Sequence, residues 1–168
     1  QKGNASMKFG KSMLLAAFLA VGGAVAADEA KADIGVWTNV PAGIENKSIT
    51  GVRFGLPCSI SNGTVKGAEL SIFFSGTRNA EAFKFAWIGA TWAETLKGGA
   101  LACVNIAEER LAGIQVGAVN LSGKGGFQLG FFNNCDDDAK FQLGLININK
   151  NGWLPFMVFV NFGSDTFK

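Results

Sequence analysis

Apolar and polar residues alternate along most of the chain after residue 49, and the pattern recurs in units of about 14 residues. Three units read Gly-Ile-Gln-Val-Gly-Ala-Val-Asn (113–120), Gly-Phe-Gln-Leu-Gly-Phe-Phe-Asn (126–133) and Lys-Phe-Gln-Leu-Gly-Leu-Ile-Asn (140–147). Asparagine recurs at positions 105, 120, 133, 147 and 161. Because side chains alternate between the two faces of a strand, each unit is predicted to form one β-strand. A fixed period of this kind indicates a repeat architecture.

The two faces of these predicted strands differ in composition. One face is apolar throughout and carries Val52, Phe54, Leu56, Ala68, Leu70, Ile72, Phe83, Phe85, Trp87, Ile114, Val116, Ala118, Phe127, Leu129, Phe131, Phe141, Leu143 and Leu145. The other face begins mostly with a long polar residue, at Arg53, Glu69, Lys84, Gln115, Gln128 and Gln142. It continues with a small residue, at Gly55, Ser71, Ala86, Ala102, Gly117, Gly130 and Gly144.

Two folds are compatible with this repeat. A parallel β-solenoid needs two walls that face each other across a core, and the sequence shows only one, because segments such as 107–110, 122–125 and 135–138 read as turns. An open antiparallel meander would leave an apolar face and two edges uncovered. Closure into a barrel removes the edges and lets lipid cover the apolar face. The sequence therefore favours an all-β fold, a small antiparallel up-and-down β-barrel of about eight strands with one strand per unit. The parallel β-solenoid is the alternative.

The N-terminal residues have the pattern of an export signal. Lys8 and Lys11 form a basic region, residues 13–21 an apolar region, and Ala-Val-Ala at 24–26 a cleavage site. We therefore divide the chain into a signal peptide with upstream residues (1–26), a lead-in with one possible strand (27–48) and a repeat β-domain (49–168). The possible strand, Asp33–Val40, is predicted to plug, cap or flank the barrel, because bacterial barrels usually have an even number of strands.

Charge and composition exclude several functions. Removing residues 1–26 takes away three lysines and changes the formal net charge from +2 to −1, so no basic patch remains for nucleic acid. The chain has no histidine and no tyrosine. Ser-His-Asp and Cys-His catalysis and most zinc sites are thereby excluded. We predict a protein that is not an enzyme, with no catalytic, cofactor or metal site.

A few polar residues and tryptophans carry the remaining candidate chemistry. Arg53, Glu69 and Lys84 are interpreted as an ion-pair network filling a narrow interior, with a polar track for a solute as the alternative. The run Asp136–Asp138 is interpreted as a solvated loop rather than a calcium site, because three consecutive carboxylates cannot all converge on one ion. Trp87, Trp92 and Trp153 are interpreted as an aromatic belt at a membrane interface, with ordinary lipid contact as the alternative for Trp87.

Cysteine chemistry is not expected to stabilise the fold. Cys58, Cys103 and Cys135 make an odd number for an exported protein. In a meander, the loops that carry Cys58 and Cys135 would lie at opposite ends of the sheet. A disulfide between them is therefore not expected.

The repeat resembles a family of exported bacterial surface-repeat proteins with tandem G-x-Q-x-G-x-x-N units and a proline-containing aromatic final strand. The resemblance rests on residues 98–162, including the ending Trp-Leu-Pro-Phe-Met-Val-Phe-Val-Asn-Phe at 153–162. It implies an exported protein of the outer membrane or cell surface and transfers no activity. With a barrel, the expected partners are outer-membrane lipid and the outer-membrane assembly machinery, and the expected role is structural or interactive. The alternative function is that of a soluble surface or periplasmic β-solenoid, an adhesin-like binding module.

Overall fold

The structure is a computed structural model that describes residues 30–36 and 46–167. These ranges contain eleven β-strands. They are β1 (Ala30–Gly35), β2 (Ile49–Gly55), β3 (Cys58–Ser71), β4 (Phe74–Ala86), β5 (Ala90–Leu101), β6 (Val104–Val116), β7 (Val119–Ser122), β8 (Phe127–Leu129), β9 (Phe132–Cys135), β10 (Phe141–Asn149) and β11 (Phe156–Phe162). The predicted signal peptide lies outside the described residues.

The strands stack in parallel into a β-solenoid. Pairing runs from β1 through to β10, and each of these pairs is parallel. Residues one repeat apart lie in register, as where Gln115 pairs with Gln128 and Gln128 with Gln142. The described part of the chain makes about seven coils.

Each coil has two walls, because the chain bends between two short stretches of strand. Stacked segments form wall 1 (49–55, 65–71, 80–86, 96–101, 111–116, 127–129 and 141–144). The intervening segments form wall 2 (58–61, 74–77, 90–93, 104–107, 119–122, 132–135 and 146–149). Hydrogen bonds cross the interior between the walls, as from Gln115 Nε2 to the carbonyl of Leu121 at 3.1 Å.

The predicted antiparallel barrel is wrong. A barrel of that kind requires neighbouring strands to run in opposite directions, whereas the repeats pair in parallel. The error lies in treating 113–120 as one strand, because the chain turns at Gly117 and Ala118 and enters wall 2 at Val119. The assignment of the apolar residues to the outside and of the polar and small residues to the inside is nevertheless retained in the solenoid.

The interior is filled by stacked polar side chains as much as by apolar ones. In wall 2, amide hydrogen bonds run from Asn105 to Asn120 and on to Asn133 and Asn147, at 2.8–2.9 Å. In wall 1, Gln142 donates to Gln128 at 2.7 Å. Each stacked amide binds its neighbour one coil away, so the hydrogen bonds fix the register of the coils.

The second glycine of the repeat allows the coils to approach closely. A Cβ added at Gly130 would collide with the carbonyl oxygen of Gly117 and with the side-chain nitrogen of Asn120, both in the preceding coil. The interior of a barrel is therefore not the reason for small residues in this column.

The two ends of the solenoid differ. β1 pairs in parallel with β2, so it begins the stack and is not a plug; residues 37–40 of the predicted strand lie outside the described residues. β11 pairs antiparallel with β10 and bends near Phe159, which has a φ of 72°. The two halves of β11 thereby cover the last coil along both walls.

Candidate interaction surface

Most outward side chains of both walls are apolar. In wall 1 they include Phe54, Leu70, Phe85, Leu101, Val116, Leu129 and Leu143, which lie in register from coil to coil. In wall 2 they include Ile60, Trp92, Ile106, Leu121 and Ile148. The wall 1 residues fill one register position in every coil and form a continuous apolar ridge. The wall 2 ridge is interrupted at the same register position by Gly76 and Asn134.

The bend that leads from wall 1 to wall 2 is also apolar. We call this edge the apolar arc; it comprises residues 56–57, 72–73, 87–89, 102–103, 117–118, 130–131 and 145, with Phe159 in the cap. Trp87, Phe131 and Phe159 are 73%, 67% and 64% exposed. In the described part of the chain, the arc and the apolar ridges carry no charged residue; the charged residues Lys66, Glu81 and Lys97 lie at the far end of wall 1, where it meets the opposite edge. Contiguous exposed apolar surface is typical of interaction sites, so the arc is the candidate surface.

The charged surface residues gather at the opposite edge, where the chain returns from wall 2 to wall 1. We call it the polar edge; it comprises residues 62–66, 78–81, 94–97, 108–112, 123–126, 136–140 and 150–152. Salt bridges join neighbouring coils there, as between Lys124 and Asp137 at 2.8 Å and between Lys97 and Glu81 at 2.9 Å. The hydrogen bond that Lys124 donates to Asp137 raises the pKa of Lys124, and the hydrogen bond that Glu81 accepts from Lys97 lowers the pKa of Glu81. The molecule is therefore amphipathic across its width.

The polar residues predicted to form an ion-pair network do come together, in the core of the N-terminal coils. Asp33, Arg53, Glu69 and Lys84 occupy one column, in register. Lys84 Nζ lies 2.5 Å from Glu69 Oε2, and both side chains are completely buried. Glu69 also accepts hydrogen bonds from Ser59 and Thr77.

Burial and pairing compete at this buried pair. Burial alone would raise the pKa of Glu69, but the charge of Lys84 and the hydrogen bonds from Lys84, Ser59 and Thr77 hold it below its ordinary value. Burial lowers the pKa of Lys84 against the opposing effect of Glu69. Nη2 of Arg53 donates to the carbonyl of Ile60 at 2.6 Å. Since the cluster is enclosed within the coils, its geometry is that of a structural network rather than of a track for a solute.

The three aspartates of the predicted solvated loop point to different partners. Asp136 pairs with Lys150 at 2.8 Å, and Asp137 pairs with Lys124. Asp138 accepts hydrogen bonds from the backbone and hydroxyl of Ser164. Asp137 and Asp138 line a cleft of about 930 Å³ at the polar edge, and no cluster of potential metal ligands occurs in the residues that the structure describes.

The cysteines and tryptophans occupy other positions in the solenoid than those predicted for the barrel. Cys58, Cys103 and Cys135 are free thiols. Cys58 and Cys135 both lie in wall 2. The prediction that they lie at opposite ends of an antiparallel sheet is therefore wrong. Trp87 lies on the apolar arc, and Trp153 packs against Phe162 near the cap.

Comparison with protein-family models, with curated proteins and with solved structures finds no match to the chain. No helix in the described ranges is long and apolar enough to cross a membrane. The function has to be inferred from the solenoid itself.

Proposed function

We propose that the protein is a non-catalytic interaction module exported to the bacterial cell surface or periplasm, in which the solenoid is a rigid scaffold for an apolar contact surface. The observation that carries this proposal is the uncharged surface formed by the apolar arc and the outward ridges beside it, with the surface charges gathered at the polar edge. Exposed apolar side chains do not stabilise the monomer, so their repetition coil after coil favours a role in binding.

Other features of the chain support the same role. The basic and apolar pattern of residues 8–26 favours export. The chain has no histidine, and the buried ionisable groups Glu69 and Lys84 are committed to each other inside the coils. An adhesin-like module, which binds through a repetitive surface, fits this arrangement better than catalysis.

The proposal is tested by fractionating bacteria that produce the full chain. The variant Phe131→Ser/Leu145→Ser changes two exposed residues of the apolar arc, and Glu109→Ser/Arg110→Ser changes two exposed residues of the polar edge as a matched control. We expect the wild type and the control to remain with the cell envelope and the arc variant to be released. Equal retention of all three proteins, or equal release, would overturn the proposal.

A further inference from the structure

We propose that the occupant of the apolar arc is lipid, and that the solenoid lies in the plane of a membrane surface with its arc inserted into one leaflet. This inference deepens the proposed function and rests on it. It names the acyl-chain region of a bilayer as the partner and leaves the polar edge in the aqueous phase.

The most exposed apolar side chains occupy the convex edge rather than the flat walls. Trp87 and Phe131 on the arc are 73% and 67% exposed, whereas the most exposed apolar side chain on wall 1, Phe83, is 47% exposed. The side chains of the walls also cover one another along each ridge, because neighbouring coils are only about 4.8 Å apart. The apolar side chains of the arc are therefore the most accessible to a partner.

A rigid partner can cover only part of this surface. The apolar residues lie on three faces of the solenoid, namely the outer face of wall 1, the arc and the outer face of wall 2. A second copy packed on one wall would leave the arc and the other wall in water. Fluid acyl chains cover all three sides at once, so lipid buries the greatest share of the surface.

The distribution of charged residues matches the change from apolar to aqueous surroundings across a membrane interface. No described residue of the arc or of the outward ridges is charged, while the polar edge carries residues such as Lys97, Lys124 and Lys150. Because a strand advances about 3.3 Å per residue, the arc and the nearest outward position of each wall reach a depth of about 7 Å. Amphipathic segments that lie in the membrane interface insert their apolar face to about 5–10 Å.

The test uses the purified full chain and protein-free phosphatidylcholine vesicles in a flotation assay. We expect the wild type to float with the vesicles at both low and high salt, because the contact is apolar. Phe131→Ser/Leu145→Ser should weaken binding at least tenfold, on the order expected for two side chains that no longer leave water. Glu109→Ser/Arg110→Ser should bind as the wild type does. Both variants retain residues 1–29, so a difference between them reports on the arc.

A second measurement locates the inserted edge. Vesicles with brominated acyl chains should quench part of the tryptophan fluorescence of the wild type, and Trp87→Phe should remove a large share of the quenched signal. Circular dichroism melting of each variant shows that the fold is retained, since the substituted side chains lie on the surface.

Three results would overturn the inference. Failure to float, together with a dimer that Phe131→Ser/Leu145→Ser converts to a monomer, would assign the arc to a second copy. Failure to float while the arc still governs retention on cells would assign it to a protein partner and leave the proposed function standing. Failure in both assays would remove the inference and the proposed function together.

Discussion

The side-chain amide of Asn120 donates a hydrogen bond to Oδ1 of Asn133, 2.8 Å away in the next coil. Asn133 in turn donates to Oδ1 of Asn147 at 2.8 Å and to the carbonyl of Leu143 at 3.0 Å. Each amide is thus both donor and acceptor in a ladder that is completely buried. Loss of one member leaves unsatisfied groups in two neighbouring coils.

Asn133→Ala is expected to lower the free energy of unfolding by about 2–4 kcal/mol, because it removes two donated hydrogen bonds and the acceptor of Asn120. Asn134→Ala is the matched control, since Asn134 is adjacent but faces outward from the same strand. Urea denaturation of both variants measures the difference. Equal losses of stability would contradict the assigned faces of wall 2.

The buried pair of Glu69 and Lys84 should behave as a unit. Glu69→Gln and Lys84→Gln, made singly, each leave an unpaired buried charge and should cost about 3–5 kcal/mol. The double variant places glutamine where later coils have Gln115, Gln128 and Gln142, so it should cost less than the sum of the two. A double-mutant cycle measures the coupling, and additive losses would argue against the pair.

Acid should destabilise the solenoid through Glu69. Its pKa is lower in the folded chain than the ordinary value of 4.5, so the unfolded chain binds a proton first as the pH falls. The stabilisation is complete above about pH 4.5 and is lost as the pH falls through the folded pKa. Urea denaturation over a pH series measures this loss. Other carboxylates contribute in the same direction, so the Glu69→Gln/Lys84→Gln variant serves as the reference and should show a shallower decline.

Gly130→Ala should be strongly destabilising, because its Cβ would meet backbone and side-chain atoms of the preceding coil. Gly99→Ala is the control: its Cβ would approach the edge of the Phe83 ring, at 3.0 Å, and that ring can move. We expect a loss of several degrees or more in thermal midpoint for Gly130→Ala alone. Similar midpoints for the two variants would argue against the close approach of the coils.

The final strand should keep the stack from pairing with other molecules. A chain that stops after Asn151 lacks β11 and exposes the edge of β10, which is a template for further strands. We expect this variant to form oligomers in size-exclusion chromatography with light scattering. A chain that stops after Ser164 keeps β11 and should match the oligomeric state of the full chain. A truncated chain that stays in that state would show that β11 is not a protective cap.

The sequence correctly predicted which side chains of each strand face inward and which face outward. It did not predict that the chain bends between two walls. Alternation through Ile114, Gln115 and Val116 places the apolar residues outside and glutamine inside, as the structure has them. If that alternation continued without a turn, Asn120 would face outward among apolar residues. The adjacent apolar pair Ala118 and Val119 is where the phase shifts, and it was the available signal for a bend between two walls.

The interaction surface was visible in the sequence only in part. Uniform apolar residues at positions such as Phe127 and Leu129 indicated an outer surface. Alternation along a strand cannot distinguish a barrel wall from a solenoid wall, because both place every second side chain outside. Parallel register depends on contacts between Gln115 and Gln128 across coils, and those contacts are set by the fold rather than by local sequence.

Each coil contacts mainly the coils above and below it. A repeat unit can therefore be duplicated or lost only if the coils that become neighbours have compatible side chains. Duplication or loss of one repeat unit between residues 113 and 147 would again place glutamine over glutamine and asparagine over asparagine. Loss of the coil that contains Glu69 would instead stack Arg53 on Lys84, two buried cations. The C-terminal half can therefore change length by whole repeats in the course of evolution, whereas the order of charges fixes the length of the N-terminal half.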